Sequence, residues 1–146
     1  MEILYTCFKL LRNNLIAIVV HVLICFICLI PLVSMWVNVS SNVRGYLATG
    51  IYTLVVFPLY FFAGRLFLYN TNNILTNTFS VIMLFIIIML TTFIAYDSIY
   101  ERVLKAPVYL LGELISQFFH VKQKYVFIGM AILPSLAMWL GMTNKK

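Results

Sequence analysis

The sequence predicts an all-α integral membrane protein with four transmembrane helices and an amphipathic interfacial helix between the third and fourth. Three observations carry this. Of 146 residues, 64% are hydrophobic and only 10% charged, whereas a soluble domain carries roughly a quarter charged residues. The apolar residues fall into four runs, each close to the ~20 residues that cross a hydrocarbon core. Half of the charged residues fall within one segment. Of ten basic and four acidic residues, seven lie between positions 97 and 124, namely Asp97, Glu101, Arg102, Lys105, Glu113, Lys122 and Lys124.

In chain order, residues 1–13 place Ile3, Leu4, Cys7, Phe8 and Leu11 on one helical face and Glu2, Lys9 and Arg12 toward water. This pattern predicts a short interfacial lead-in. The run that follows is too long for a signal-peptide core and lacks a clear small-x-small cleavage site, so it reads as a retained helix. Residues 15–37 form the first span. His21 is its only strongly polar side chain, Pro31 is placed to kink it, and Trp36 suits the far interface. A polar hairpin over 38–44 follows. Its Asn38-Val39-Ser40 triplet matches a glycosylation acceptor, a pattern common by chance and poorly accessible this near a membrane.

Residues 46–68 form the second span. Gly45, Thr49 and Thr53 recur every four positions as a small-residue face. Pro58 marks a kink, and Arg65 near the end can snorkel to headgroups. The Asn- and Thr-rich stretch 69–78 reads as a compact loop with local side-chain to backbone bonds.

The third span covers 79–99, the most apolar run. Its helical phase continues through Asp97, Ser98, Glu101 and Arg102, and Glu101 lies four residues before Lys105, the favourable order for a helical ion pair. Pro107 can open the interfacial helix over 107–120. There Leu110, Leu111, Leu114, Ile115, Phe118 and Phe119 repeat as an apolar stripe opposite Gly112, Glu113, Ser116, Gln117 and His120. Lys122 and Lys124 then form a basic collar before the fourth span, 125–142, which carries Ala131/Ser135 and Ala137/Gly141 as small pairs and Pro134 in its middle. No internal repeat is found, and the whole chain reads as a single membrane domain.

The composition excludes some functions. The net charge of +6 is scattered in ones and twos, so it leaves no nucleic-acid footprint and suits anchoring to the lipid bilayer. The three cysteines Cys7, Cys25 and Cys28 form no paired extracellular framework. Five basic residues fall to each side of the membrane, a tie that the usual dominance of the first helix resolves toward cytoplasmic termini. The expected location is the cytoplasmic (inner) membrane of a bacterium.

Few constellations can carry chemistry. His21, Cys25 and Cys28 lie at i, i+4 and i+7 and share one helix face, with ligand types suited to zinc or copper. A fourth ligand would have to come from Met83 or Met130 on other helices. Burial in hydrocarbon opposes thiol ionisation, so the weight falls on packing, with the histidine hydrogen-bonded to a neighbouring helix, and no cofactor is expected. The Cys25–Cys28 C-x-x-C spacing meets the same objection as a redox pair. Arg65, Asp97, Glu101 and Arg102 are polar groups at the membrane edge. No phosphate loop, nucleophile elbow or paired buried acid occurs.

Three functional classes compete. The first is a non-enzymatic protein that docks onto a membrane protein partner through the 110–119 stripe, as an accessory subunit or an immunity- or exclusion-type protein would. The second is a homo-oligomeric transporter or channel, whose route His21, Thr49, Thr53, Arg65 and Ser135 would line. The third is a lipid-directed enzyme using Asp97, Glu101 or His120 as acid or base. The absence of catalytic signatures favours the first.

Overall fold

A computed structural model describes residues 2–38, 42–71, 73–94 and 103–144. Among these, every regular element is helical: α1 Glu2–Asn38, α2 Asn42–Phe67, α3 Ile74–Phe79, α4 Ile82–Ile94, α5 Ala106–Phe119, α6 Gln123–Met130 and α7 Ile132–Thr143. Three segments are long and apolar enough to cross a membrane: Leu4–Leu29, Ile74–Ile94 (α3 with α4) and Gln123–Thr143 (α6 with α7). Asp97, Glu101 and Arg102, the glycosylation triplet beyond Asn38, and Lys145 and Lys146 lie outside the described residues.

The lead-in and first span are one helix, since α1 runs without interruption. Its inward stripe is Asn13, Asn14, Ala17, His21, Ile24, Cys25 and Cys28, all buried and spaced as one helical face. Leu4, Phe8 and Leu11 are exposed, so the apolar face of the lead-in turns outward while Lys9 stacks on tyrosines. Nζ of Lys9 sits 4.0 Å from the Tyr5 ring centroid and 4.1 Å from that of Tyr69.

Asn73 starts α3 inside the stretch that reads as a loop. Its side chain accepts from the N–H groups of Leu75 and Thr76, an N-cap that its Asn identity suits. The preceding turn is held by buried Asn77, whose Oδ1 accepts from the Thr71 N–H at 3.0 Å and the Thr71 hydroxyl at 2.8 Å. The break between α6 and α7 at Ala131 falls beside Met130, whose carbonyl Pro134 cannot serve because it has no N–H. Pro58, by contrast, lies within α2, which continues through it.

The most extensive helix contact joins α2 to α7. Ala137 and Gly141 face α2, and a Cβ at Gly141 would collide with the Phe61 carbonyl. The matching position on α2 is Gly64, where a Cβ would collide with the Met138 carbonyl. Lipid tails are as apolar as leucine, so close backbone approach rather than water exclusion holds this pair. Of the small-residue face expected at Gly45, Thr49 and Thr53, Thr53 is half-buried and the side chains of the other two lie outside the described set.

Overpacking costs about 1–3 kcal/mol, so Gly64→Ala and Gly141→Ala should each lower stability by about that amount. Gly129→Ala, where a Cβ meets open space, should be neutral or slightly stabilising. Thermal unfolding of the detergent-solubilised variants, followed by near-ultraviolet circular dichroism, checks the contrast.

Candidate functional site

The buried polar residues of α1 form two centres. The first is the adjacent pair Asn13 and Asn14, whose side chains point about 100° apart around the helix and serve different neighbours. Asn13 pairs with the backbone of Tyr69, just past the end of α2. Its Nδ2 donates to the Tyr69 carbonyl at 2.9 Å and its Oδ1 accepts from the Tyr69 N–H at 3.0 Å. Nδ2 also donates to Ser80 Oγ at 3.1 Å, which in turn donates to the Thr76 carbonyl at 3.0 Å.

Asn14 works at the break between α3 and α4. Its Nδ2 donates to the Phe79 carbonyl at 2.8 Å and its Oδ1 accepts from the Met83 N–H at 3.1 Å. Those two backbone groups are four residues apart, so they would bond to each other in an unbroken helix. The amide is inserted into that ladder, a recognised cause of helix breaks. No proline or glycine is needed at Ser80–Val81.

The second centre is His21. Its Nε2 lies 2.9 Å from the Leu104 carbonyl and its Nδ1 lies 2.7 Å from the Tyr60 hydroxyl. A carbonyl only accepts, so Nε2 carries the proton, and neutral Nδ1 accepts from the Tyr60 O–H. The imidazole and the Tyr60 ring are stacked, with centroids 5.8 Å apart. Cys25 Sγ also donates to the Leu104 carbonyl, at 3.4 Å.

That carbonyl lacks both the i+3 and the i+4 backbone donor. Three residues beyond Leu104, Pro107 offers no N–H, and the Val108 N–H, four residues beyond, donates instead to the Lys105 carbonyl at 2.8 Å. His21 therefore caps a turn that its own sequence neighbourhood does not reveal. Both ring nitrogens of His21 are engaged, which leaves no lone pair for a metal. Among the described residues no group of three His, Cys, Asp or Glu side chains is arranged to hold an ion, although His21, Cys25 and Cys28 do share the buried face.

α5 enters the bundle by its N-terminal end. Lys105, Ala106, Val108 and Tyr109 are buried, as is Gly112. Tyr109 stacks on Phe127 of α6 with centroids 5.3 Å apart, and a Cβ at Gly112 would strike the same ring. Lys105 is only 1% exposed. Its Nζ lies 4.5 Å from the Phe127 centroid, and the ring face stabilises a desolvated cation by about 2 kcal/mol.

Burial falls off along α5 from its N-terminal to its C-terminal end. Leu111, Leu114 and Ile115 are half-buried, whereas Phe118 and Phe119 are 71% and 65% exposed; the Leu110 side chain is outside the described set. The helix ends at His120, whose φ of 53° is the left-handed conformation, which histidine adopts more readily than most residues. Arg65 is exposed near the end of α2. The residues that sequence reasoning missed are Asn13, Asn14, Tyr60 and Gly64. The adjacent asparagines on the inward stripe of α1 were the one readable signal.

Compared with family models, curated proteins and solved structures, the chain matches none.

Cys7 is exposed whereas Cys25 and Cys28 are buried. A maleimide should therefore modify Cys7 alone in the folded protein. His21→Ala, which frees the Leu104 carbonyl and opens space beside Cys25, should raise the Cys25 labelling rate at least about tenfold, the change that ~1.4 kcal/mol of lost closure produces. Mass-spectrometric mapping of labelled peptides reads both outcomes.

Proposed function

We propose that this chain is a four-span, non-enzymatic membrane protein that works through protein–protein contacts within the bilayer, as an accessory subunit or an immunity- or exclusion-type protein does. The observation that carries this reading is the packing of α5. Tyr109 and Gly112 hold the helix against Phe127, and Phe118 and Phe119 are left outward. A helix anchored at its N-terminal end leaves Phe118 and Phe119, with the half-buried Leu111, Leu114 and Ile115, to whatever lies alongside its other end. In this reading α1, α2, α3–α4 and α6–α7 are the spans, and α5 is half-inserted between the third and fourth.

The competing homo-oligomeric transporter draws less support from where its polar residues sit. His21 is engaged with Tyr60 and Leu104, Ser135 faces α4 between a different pair of helices, and Arg65 is exposed at a helix end. These groups do not converge on one route. We place the chain in a bacterial cytoplasmic membrane with both termini inside, a reading that rests on Lys9 and Arg12 at the first helix, which usually dominates orientation.

Photo-crosslinkers at Leu114 and Phe118 in native membranes test the proposal. It expects one dominant foreign membrane protein, and loss of the Phe118 product when Leu111 and Leu114 are changed to serine. Adducts to lipid alone or to further copies of the chain would contradict it, and the latter would move the weight to the homo-oligomer.

A further inference from the structure

Near its start α1 passes the level at which two other helices end. Asn13 bonds the backbone of Tyr69, just past α2, and lies 3.9 Å from the sulfur of Met142, close to the end of α7. Two cations of α1 stand at this level. Lys9 Nζ lies 4.0 Å from the Tyr5 ring centroid and 4.1 Å from that of Tyr69, and the Arg12 guanidinium lies 5.7 Å from the Tyr69 centroid. Both charges therefore gather about one ring, and they can be no further apart than the sum of their distances to it.

Like charges held this close repel. Among the described side chains the one acid is Glu113 on α5, whose neighbour Gly112 packs on Phe127 near the opposite end of α6–α7. Arg65, exposed four residues before Tyr69, adds a third cation to the same end. No described acid offsets these charges, so the cluster attracts an anion from outside the chain.

The two cations of α1 are placed in advance. Tyr5 lies one helical turn before Lys9, and Tyr69 is held by the paired backbone bonds of buried Asn13. A ring meets an ammonium from one side. Three N–H donors on Lys9 and five on Arg12 leave several for acceptor oxygens. A guanidinium fork matches two phosphate oxygens at once. Ordering long side chains before a ligand arrives lowers the cost of binding it.

The surface beside the cations selects the source of the anion. Arg12, Leu15, Val19 and Leu23 are exposed and follow at spacings of three and four, which puts them along one face of α1. From Arg12 to Leu23 this face runs about 16 Å, about half of a ~30 Å hydrocarbon core. An anion that carries a hydrocarbon tail is met at both ends, by the cations and by the stripe. A free phosphate would use the cations alone. A zwitterionic headgroup brings its own cation, which the cluster repels.

We propose that Lys9 and Arg12, set about the Tyr69 ring, bind the phosphate of an anionic glycerophospholipid whose acyl chain lies along Leu15, Val19 and Leu23. The site lies apart from α5 and does not depend on the protein contacts proposed there.

The test uses the full-length protein in mild detergent, loaded with dioleoyl phosphatidylglycerol or with dioleoyl phosphatidylcholine. The two share their acyl chains and differ in net charge. Native mass spectrometry counts the lipid retained through successive detergent washes. The expected result is one phosphatidylglycerol per chain, held about tenfold better than phosphatidylcholine. That preference should vanish in a Lys9→Gln/Arg12→Gln variant and persist in a Lys122→Gln/Lys124→Gln variant, whose cations precede α6 and the fourth span rather than follow it. Excess inorganic phosphate should leave the lipid in place; displacement would assign the site to a free anion and overturn the lipid reading. Equal retention of the two lipids by the unaltered chain overturns the proposal without requiring any variant to fold. So does a preference that survives in Lys9→Gln/Arg12→Gln or is lost in both variants. A protein adduct from a photo-crosslinker at Leu15 in native membranes overturns it too.

Discussion

In an apolar solvent, a backbone group freed by a break in a helix must find its partner inside the protein. That constraint organises this molecule, and α1 meets it three times. Asn13 completes the backbone of Tyr69 where α2 ends. Asn14 stands in for the missing bond between Phe79 and Met83 where α3 passes into α4. His21 takes up the Leu104 carbonyl, whose helical donor, the Val108 N–H, bonds Lys105 instead. Each partner lies at least 50 residues away in the chain, so the polar stripe of one helix fixes where the other segments turn.

Packing supplies what the polar stripe does not. The α2–α7 contact is close because Gly64 and Gly141 have no Cβ to hold the backbones apart, and dispersion across that contact is the main attraction available between helices in lipid. α5 is fixed differently, by a ring stack and a buried cation over Phe127. The exposed Phe118 and Phe119 at the C-terminal end of α5 are a consequence of this arrangement.

Much of this was legible in the sequence. Apolar runs of membrane length locate the helices, Pro134 marks the break between α6 and α7, and the Ala137/Gly141 spacing marks a close contact. The shared face of His21, Cys25 and Cys28 is buried, and from it His21 hydrogen-bonds Tyr60 and the Leu104 carbonyl. What the pattern could not give is which partner each group meets. Asn14 reads as one more polar residue at a helix start, because the gap it fills is created 65 residues later at a site with no proline or glycine. Lys105 reads as solvated because charge usually is; its burial depends on Phe127, which only the folded chain brings over it. Asn73 and the start of α3 were hidden in an Asn- and Thr-rich stretch whose composition suits caps and loops equally.

The central claim is that the two asparagines act as backbone surrogates at separate breaks. Residue-resolved amide hydrogen exchange in micelles, comparing Asn13→Leu with Asn14→Leu, tests it most directly. The account predicts that Asn14→Leu strips protection from the Met83 amide and spares that of Tyr69, and that Asn13→Leu does the reverse. Unchanged protection at both amides, or equal loss at both in either variant, would contradict it.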